Sequence, residues 1–154
     1  MSITFSISRV LVAETLNYLV EAGRRNCEGI VLWLAPRASR RLIARVLVPL
    51  HKASDDYFHI PPEGNRALQQ LCRDEKLIVE AQVHTHPHEA FHSRADDRLS
   101  LVRHVDALSV VLPDFAAHTT VETFLRDSAS FMLTSDDSWR QVPLPKLTGI
   151  LRIT

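Results

Sequence analysis

The stretch from Leu77 to His86 reads LIVEAQVHTH and is followed at once by Pro87. A short run of branched and apolar side chains without glycine predicts a largely buried strand over Leu77–His84. Pro87 has no N–H to give to a ladder, so it ends the strand just past the second histidine. Side chains two apart on a strand share a face, which sets His84 and His86 side by side. The fold therefore has to bury this strand while presenting two imidazoles at its end.

The rest of the chain reads around that strand. Val10, Leu11, Ala13, Leu16, Leu19 and Val20 recur at helical spacing between Ser8, a natural N-cap, and Gly23, a natural stop. Glu28–Ala35 and Leu42–Leu50 read as two further buried strands. Lys52–Ile60 is a polar and aromatic loop that either connects or lines a groove, and Pro61-Pro62-Glu63 opens a helix whose inner face is Ala67, Leu68, Leu71 and Cys72. Ser93–His104 is expected to be a third helix and Ala107–Leu112 a fourth strand. Thr119–Leu125, Ala129–Leu133, Trp139–Val142 and Leu147–Ile153 read as shorter strands, the middle two joined by Ser-Asp-Asp-Ser. This order is mixed α/β rather than a regular alternation, and there is no glycine-rich phosphate loop, so a doubly wound nucleotide fold is disfavoured.

A length of 154 residues with only four glycines and no linker tract predicts one domain spanning 1–154. Lys plus Arg and Asp plus Glu number 18 each, so no basic field is available for nucleic acid. No apolar run approaches the roughly 18 residues of a membrane helix and the N-terminus lacks a signal pattern, so a cytoplasmic protein without a membrane partner is expected. Cys27 and Cys72 make no disulfide framework and read as packing residues. Trp33 and Trp139 read as core or rim aromatics.

The chemistry concentrates in His84-Thr85-His86-Pro87-His88-Glu89-Ala90-Phe91-His92-Ser93-Arg94-Ala95-Asp96-Asp97. Two same-face imidazoles can share one ion at about 2.0–2.1 Å, and Asp96 or Asp97 can add a carboxylate. Three protein ligands with a fourth position left to water describe a catalytic zinc site. An H-x-H pair alone is expected by chance roughly 0.4 times in a chain with this many histidines. The added Pro, Ser and Asp at their spacings are what make the pattern specific.

HTHP followed by Ser93-Arg94-Ala95-Asp96, with Glu28 opening an apolar strand far upstream, resembles the JAMM motif of the JAB1/MPN metallopeptidases, and most of all the small prokaryotic JAB proteins. The resemblance implies a JAB1/MPN-like mixed β-sheet flanked by helices. It further implies a hydrolase with one Zn²⁺ per chain that cleaves peptide or isopeptide bonds at the C-terminus of a ubiquitin-like protein, for maturation or deconjugation. Its partners would be that protein or its conjugate, with activating and conjugating enzymes of the same pathway, and a bacterial antiviral conjugation system is one such setting. His84, His86 and Asp96 would then be the zinc ligands, Glu28 the general base and Ser93 the hydroxyl that steadies the oxyanion. A zinc ion lowers the pKa of bound water to about 7 and polarises a carbonyl, which suits those roles.

The Ser-x-x-Asp spacing favours Asp96, whereas the usual count from the second histidine favours Asp97. Neighbouring helical residues point about 100° apart, so one of the two faces the metal. Ser93 and Asp96 also fit a helix capping box. Glu28 also fits a solvated strand end, and His88 and His92 read as solvated neighbours of the site. His51, His59, His104 and His118 have no partner at ligand spacing. The loops that grip ubiquitin in larger family members are short at Lys52–Ile60 and Pro113–Thr119, so a strand edge is the natural holder of an extended tail. Two alternatives stand beside this reading: a JAB-type hydrolase of small peptides or sulfur-carrier fusions, and a non-enzymatic MPN-fold scaffold, whose members typically lack the motif residues.

Overall fold

A computed structural model of the chain describes residues 4–53, 58–91 and 101–154. The described elements are β1 (Phe5–Ile7), α1 (Arg9–Arg24), β2 (Ile30–Pro36), β3 (Arg45–Leu47), β4 (Lys52–Ala53), β5 (Phe58–His59), α2 (Pro62–Asp74) and β6 (Leu77–Thr85). They continue with β7 (Leu108–Leu112), α3 (Phe124–Asp127), β8 (Ala129–Leu133), β9 (Trp139–Val142), α4 (Leu144–Ile150) and β10 (Leu151–Ile153). A six-stranded sheet in the order β3-β2-β6-β7-β8-β9 forms the centre. Only the β6–β7 pair within it is parallel. The result is a mixed α/β architecture, a mixed sheet flanked by helices, as expected.

α1 begins at Ser8, whose Oγ accepts the Leu11 N–H, and buries Val12, Leu16 and Leu19 on one sheet face. Val31, Trp33, Ala81, Val83, Leu108 and Val110 meet it there. Trp33 is fully buried, stacks on Phe124 and donates its indole N–H to Thr15 Oγ1 at 3.0 Å. Ile30, Leu32, Leu34 and Leu77 point to the opposite face, where Leu68 and Cys72 of α2 and Leu101 pack. With both faces covered, β2 reads as unbroken apolar sequence rather than as an alternating one.

Several local expectations change. Leu42–Leu50 narrows to the three-residue edge strand β3 because Pro49 cannot donate to a ladder and Leu42 and Leu50 turn outward. Within Lys52–Ile60, β4 and β5 pair antiparallel, and residues 54–57 lie outside the described set. In α2 only Gly64 is buried; Leu68, Leu71 and Cys72 are half-buried and Ala67 is exposed, so the expected inner face is shallow. Of the expected helix Ser93–His104, Leu101–His104 is not helical and residues 93–100 lie outside the described set.

Thr119–Leu125 is turn and helix rather than strand. Thr123 Oγ1 accepts the Thr120 N–H at 2.9 Å and Thr120 Oγ1 accepts the Thr123 N–H at 3.2 Å, a local satisfaction that competes with a ladder. The expected strand Leu147–Ile153 divides into α4, started by Pro143 at its N-cap, and β10. β10 pairs in parallel with β1, a strand too short to show in the sequence pattern.

Candidate metal centre at the end of the central strand

β6 delivers its two histidines as the spacing predicts. His84 is fully buried and His86 is 5% exposed. Their ring centroids lie 5.3 Å apart with the planes tilted by 46°. Two imidazoles sharing one tetrahedral ion, each bonded at about 2.0–2.1 Å in the ring plane, have centroids about 5.2 Å apart. The centroid spacing of the pair is therefore that of two imidazoles sharing one metal ion. Phe91, half-exposed, sets its ring edge-on against His86 with centroids 4.4 Å apart.

Glu28 comes to the same place through strand pairing. Ile30 faces His84 in the antiparallel β2–β6 ladder. One step on, Thr85 N donates to Gly29 O at 3.1 Å and Gly29 N donates to Thr85 Oγ1 at 2.9 Å. Glu28 precedes Gly29, so these bonds hold its backbone at the end of β6 that carries the histidines. Gly29 also lets the end of α1 close in, since a Cβ there would lie 3.0 Å from Leu19 Cδ2. Glu28 is 4% exposed, so it is not the solvated strand end that the sequence also allowed. Cys27 Sγ reaches Ala53 O at 3.9 Å, which brings the start of the Lys52–His59 stretch next to the site.

Ser93, Asp96, Asp97 and His92 lie outside the described residues. Among the described residues no three His, Cys, Asp or Glu side chains lie close enough to hold an ion. The described chain resumes at Leu101, whose N–H is accepted by Gln82 Oε1 at 3.0 Å. Gln82 is buried and donates to Ser109 Oγ at 3.2 Å. It lies two residues before His84 on the same strand, so Leu101 is tied to the face that carries His84. His88 is exposed, as expected.

Two features escaped sequence reasoning. Thr85, between the histidines, joins β2 to β6 through both its backbone and its hydroxyl. The second is Glu80, a fully buried carboxylate at the bulge where Trp33 faces Ala81 and Leu34 faces Val79. Its oxygens accept Arg40 Nε at 2.5 Å, Arg40 Nη2 at 3.3 Å and Arg41 N at 3.1 Å. Burial pushes its pKa upward, yet the Arg40 and Arg41 hydrogen bonds and the charges of Arg40 and His104 leave it below the usual carboxylate value. His104 Nε2 packs against this bulge, 2.9 Å from Val79 O and 3.7 Å from Glu80. A single acid inside LIVEAQV was the available signal.

The chain is similar to known proteins over nearly its whole length. A probable metalloprotease of Sinorhizobium fredii is 29% identical over 157 residues, covering 98% of this chain and 94% of that protein. A Desulfitobacterium hafniense protein solved in solution superposes with a TM-score of 0.68 at 17% identity, over 98% of this chain and 93% of that one, and shows the same fold. A JAB1/MPN domain protein from Archaeoglobus fulgidus aligns with a TM-score of 0.49 at 13% identity, over 98% of each chain. No family model matches the chain. The protein is thus similar over nearly its whole length to a chain named as a probable metalloprotease, and it carries His84-Thr85-His86-Pro87 at the end of its central strand.

Proposed function

We propose that this chain is a zinc-dependent peptidase of the JAB1/MPN kind that cleaves at the C-terminus of a ubiquitin-like protein, maturing it or releasing it from a target. The observation that carries the reading is the buried His84–His86 pair, 5.3 Å apart, with buried Glu28 across the strand end. In this reading His84, His86 and Asp96 hold the ion, with Asp97 the other candidate for the third place. When bound, zinc supplies an acidified water and a polarised scissile carbonyl. A Glu28 carboxylate oxygen accepts the proton of the attacking water and returns it to the departing amine nitrogen. The amide bond breaks, water adds across it, and an acid and an amine leave. The Ser93 hydroxyl donates to the oxyanion formed on the substrate carbonyl. No nucleophilic side chain enters this scheme, and no covalent acyl-enzyme forms. Among the described residues no helix is long and apolar enough to cross a membrane, in keeping with a cytoplasmic setting.

The test is cleavage of a ubiquitin-like fusion by purified, zinc-loaded protein, with Glu28→Gln as the variant. Loss of about 10²–10⁴-fold in kcat with zinc still bound supports the assignment of the base. Full activity in that variant, or after zinc removal, refutes it. Turnover of a short peptide equal to that of the whole fusion shifts the substrate to small peptides. Zinc binding without turnover of either leaves a scaffold.

A further inference from the structure

Three consecutive residues after β7 have left-handed backbones: Asp114 at φ 53°, Phe115 at 53° and Ala116 at 61°. None is glycine. L-residues visit this region singly, because Cβ crowds the following carbonyl, and a run of three persists only where its surroundings impose it. Here the surroundings are the site. The β6–β7 ladder ends with Thr85 facing Leu112, and His86 N donates to Leu112 O at 3.0 Å. Beyond that point Phe115 N donates to His86 O and Asp114 N to His88 O, each at 2.9 Å. The two carbonyls served are those on either side of Pro87. Ala116 N to Pro113 O and Ala117 N to Asp114 O, both 2.9 Å, close the turn on itself.

The turn is held from behind by α1. A Cβ on Gly23 would stand 2.6 Å from Phe115 Cβ and 3.1 Å from Phe115 O, so only glycine lets the turn approach this closely. It is therefore caught between α1 and the His86–His88 segment. A right-handed Asp114 at the same place would turn the Phe115 amide away from His86 O, because the Asp114 dihedrals set the peptide plane that carries it.

We propose that the turn Asp114–Ala116 is a positioning device for His86, with Asp114 and Phe115 as positioning residues whose left-handed amides fix the direction from which that imidazole enters the site. The inference rests on the reading of His86 as a zinc ligand. It deepens that reading by assigning ligand geometry to a segment outside the motif.

Gly23→Ala tests it from the far side of the turn, because the new methyl displaces Phe115 without touching either histidine. The expected result is zinc binding about tenfold weaker than wild type, as for other groups that orient a metal ligand. A shift of the His86 imidazole resonances in metal-free protein and faster exchange of the Phe115 amide should accompany it. Adding Phe115→Gly removes the clashing Cβ and suits the positive φ. The double variant should recover zinc affinity to within about threefold of wild type, a rescue that general destabilisation would not give. If Gly23→Ala does not fold, Asp114→Pro takes its place, since proline removes the amide given to His88 O and sets φ near −65°. Unchanged zinc affinity with unchanged His86 resonances in a folded variant overturns the proposal. If wild type binds no zinc, the reading of the site has failed, and the metal-free resonances and amide exchange still decide whether the turn sets His86.

Discussion

Replacing Glu80 by Gln removes the charge from the fully buried carboxylate at the β6 bulge and leaves its size nearly unchanged. Three hydrogen bonds, two from Arg40 and one from Arg41 N, lose their ionised acceptor. A hydrogen bond to a charged group contributes roughly 1.5–3 kcal/mol, and breaking a buried pair costs about 3–5 kcal/mol. Arg40 is 40% exposed and recovers water, which places the cost near the lower end, about 3 kcal/mol. The unfolding entropy of a chain this long is about 0.3 kcal/mol per kelvin, so Tm should fall by roughly 9 °C. Urea denaturation of both proteins between pH 7 and pH 3 is the assay. Because the folded carboxyl titrates below its unfolded value, its contribution is complete above the unfolded pKa, about 4.3, and disappears as pH falls through the folded one. The gap between wild type and variant should therefore be full at pH 7 and narrow progressively as pH falls below about 4.3. A gap under about 1 kcal/mol at pH 7, or one that persists undiminished in acid, would refute the reasoning.

Three other outcomes are expected. Gly64→Ala places a methyl 2.6 Å from the Leu50 carbonyl oxygen, so α2 has to move off the Val48–Leu50 segment, and stability by urea denaturation should drop about 1–2 kcal/mol despite the better helix former. Thr15→Val strands the buried Trp33 indole N–H and should cost about 1–3 kcal/mol, while Thr15→Ser should retain most of the stability; equal losses would contradict the bond's role. Under the proposed function, zinc at a hundredfold excess over Kd should stabilise wild type by about 2.7 kcal/mol in thermal denaturation, a chelator should reverse the gain, and His86→Ala should show none.

Much of the site was legible because its parts are local. His84-Thr85-His86-Pro87 states in four residues both a strand parity and its stop, and parity alone puts two imidazoles on one face. The same holds for Ser8 and α1 and for the apolar run of β2, where capping chemistry and branched side chains act within a few residues. Where two local tendencies compete, sequence pattern decides poorly. Thr120 and Thr123 satisfy each other in a turn, and Pro143 starts a helix in a stretch rich enough in apolar residues to read as strand.

The sequence by itself determined which donor groups stand at the end of one strand and how they alternate along it, since both follow from side-chain type and backbone period. Only the tertiary structure decided that Gly29 bonds to Thr85 and so buries Glu28 at the end of β6, that Glu80 is a buried ion rather than a surface acid, and that α1 meets Phe115 through Gly23. Each of those facts is a pairing between residues far apart in the chain. Such pairings are set by which faces must leave water together, and they have no signature in either partner's own neighbourhood.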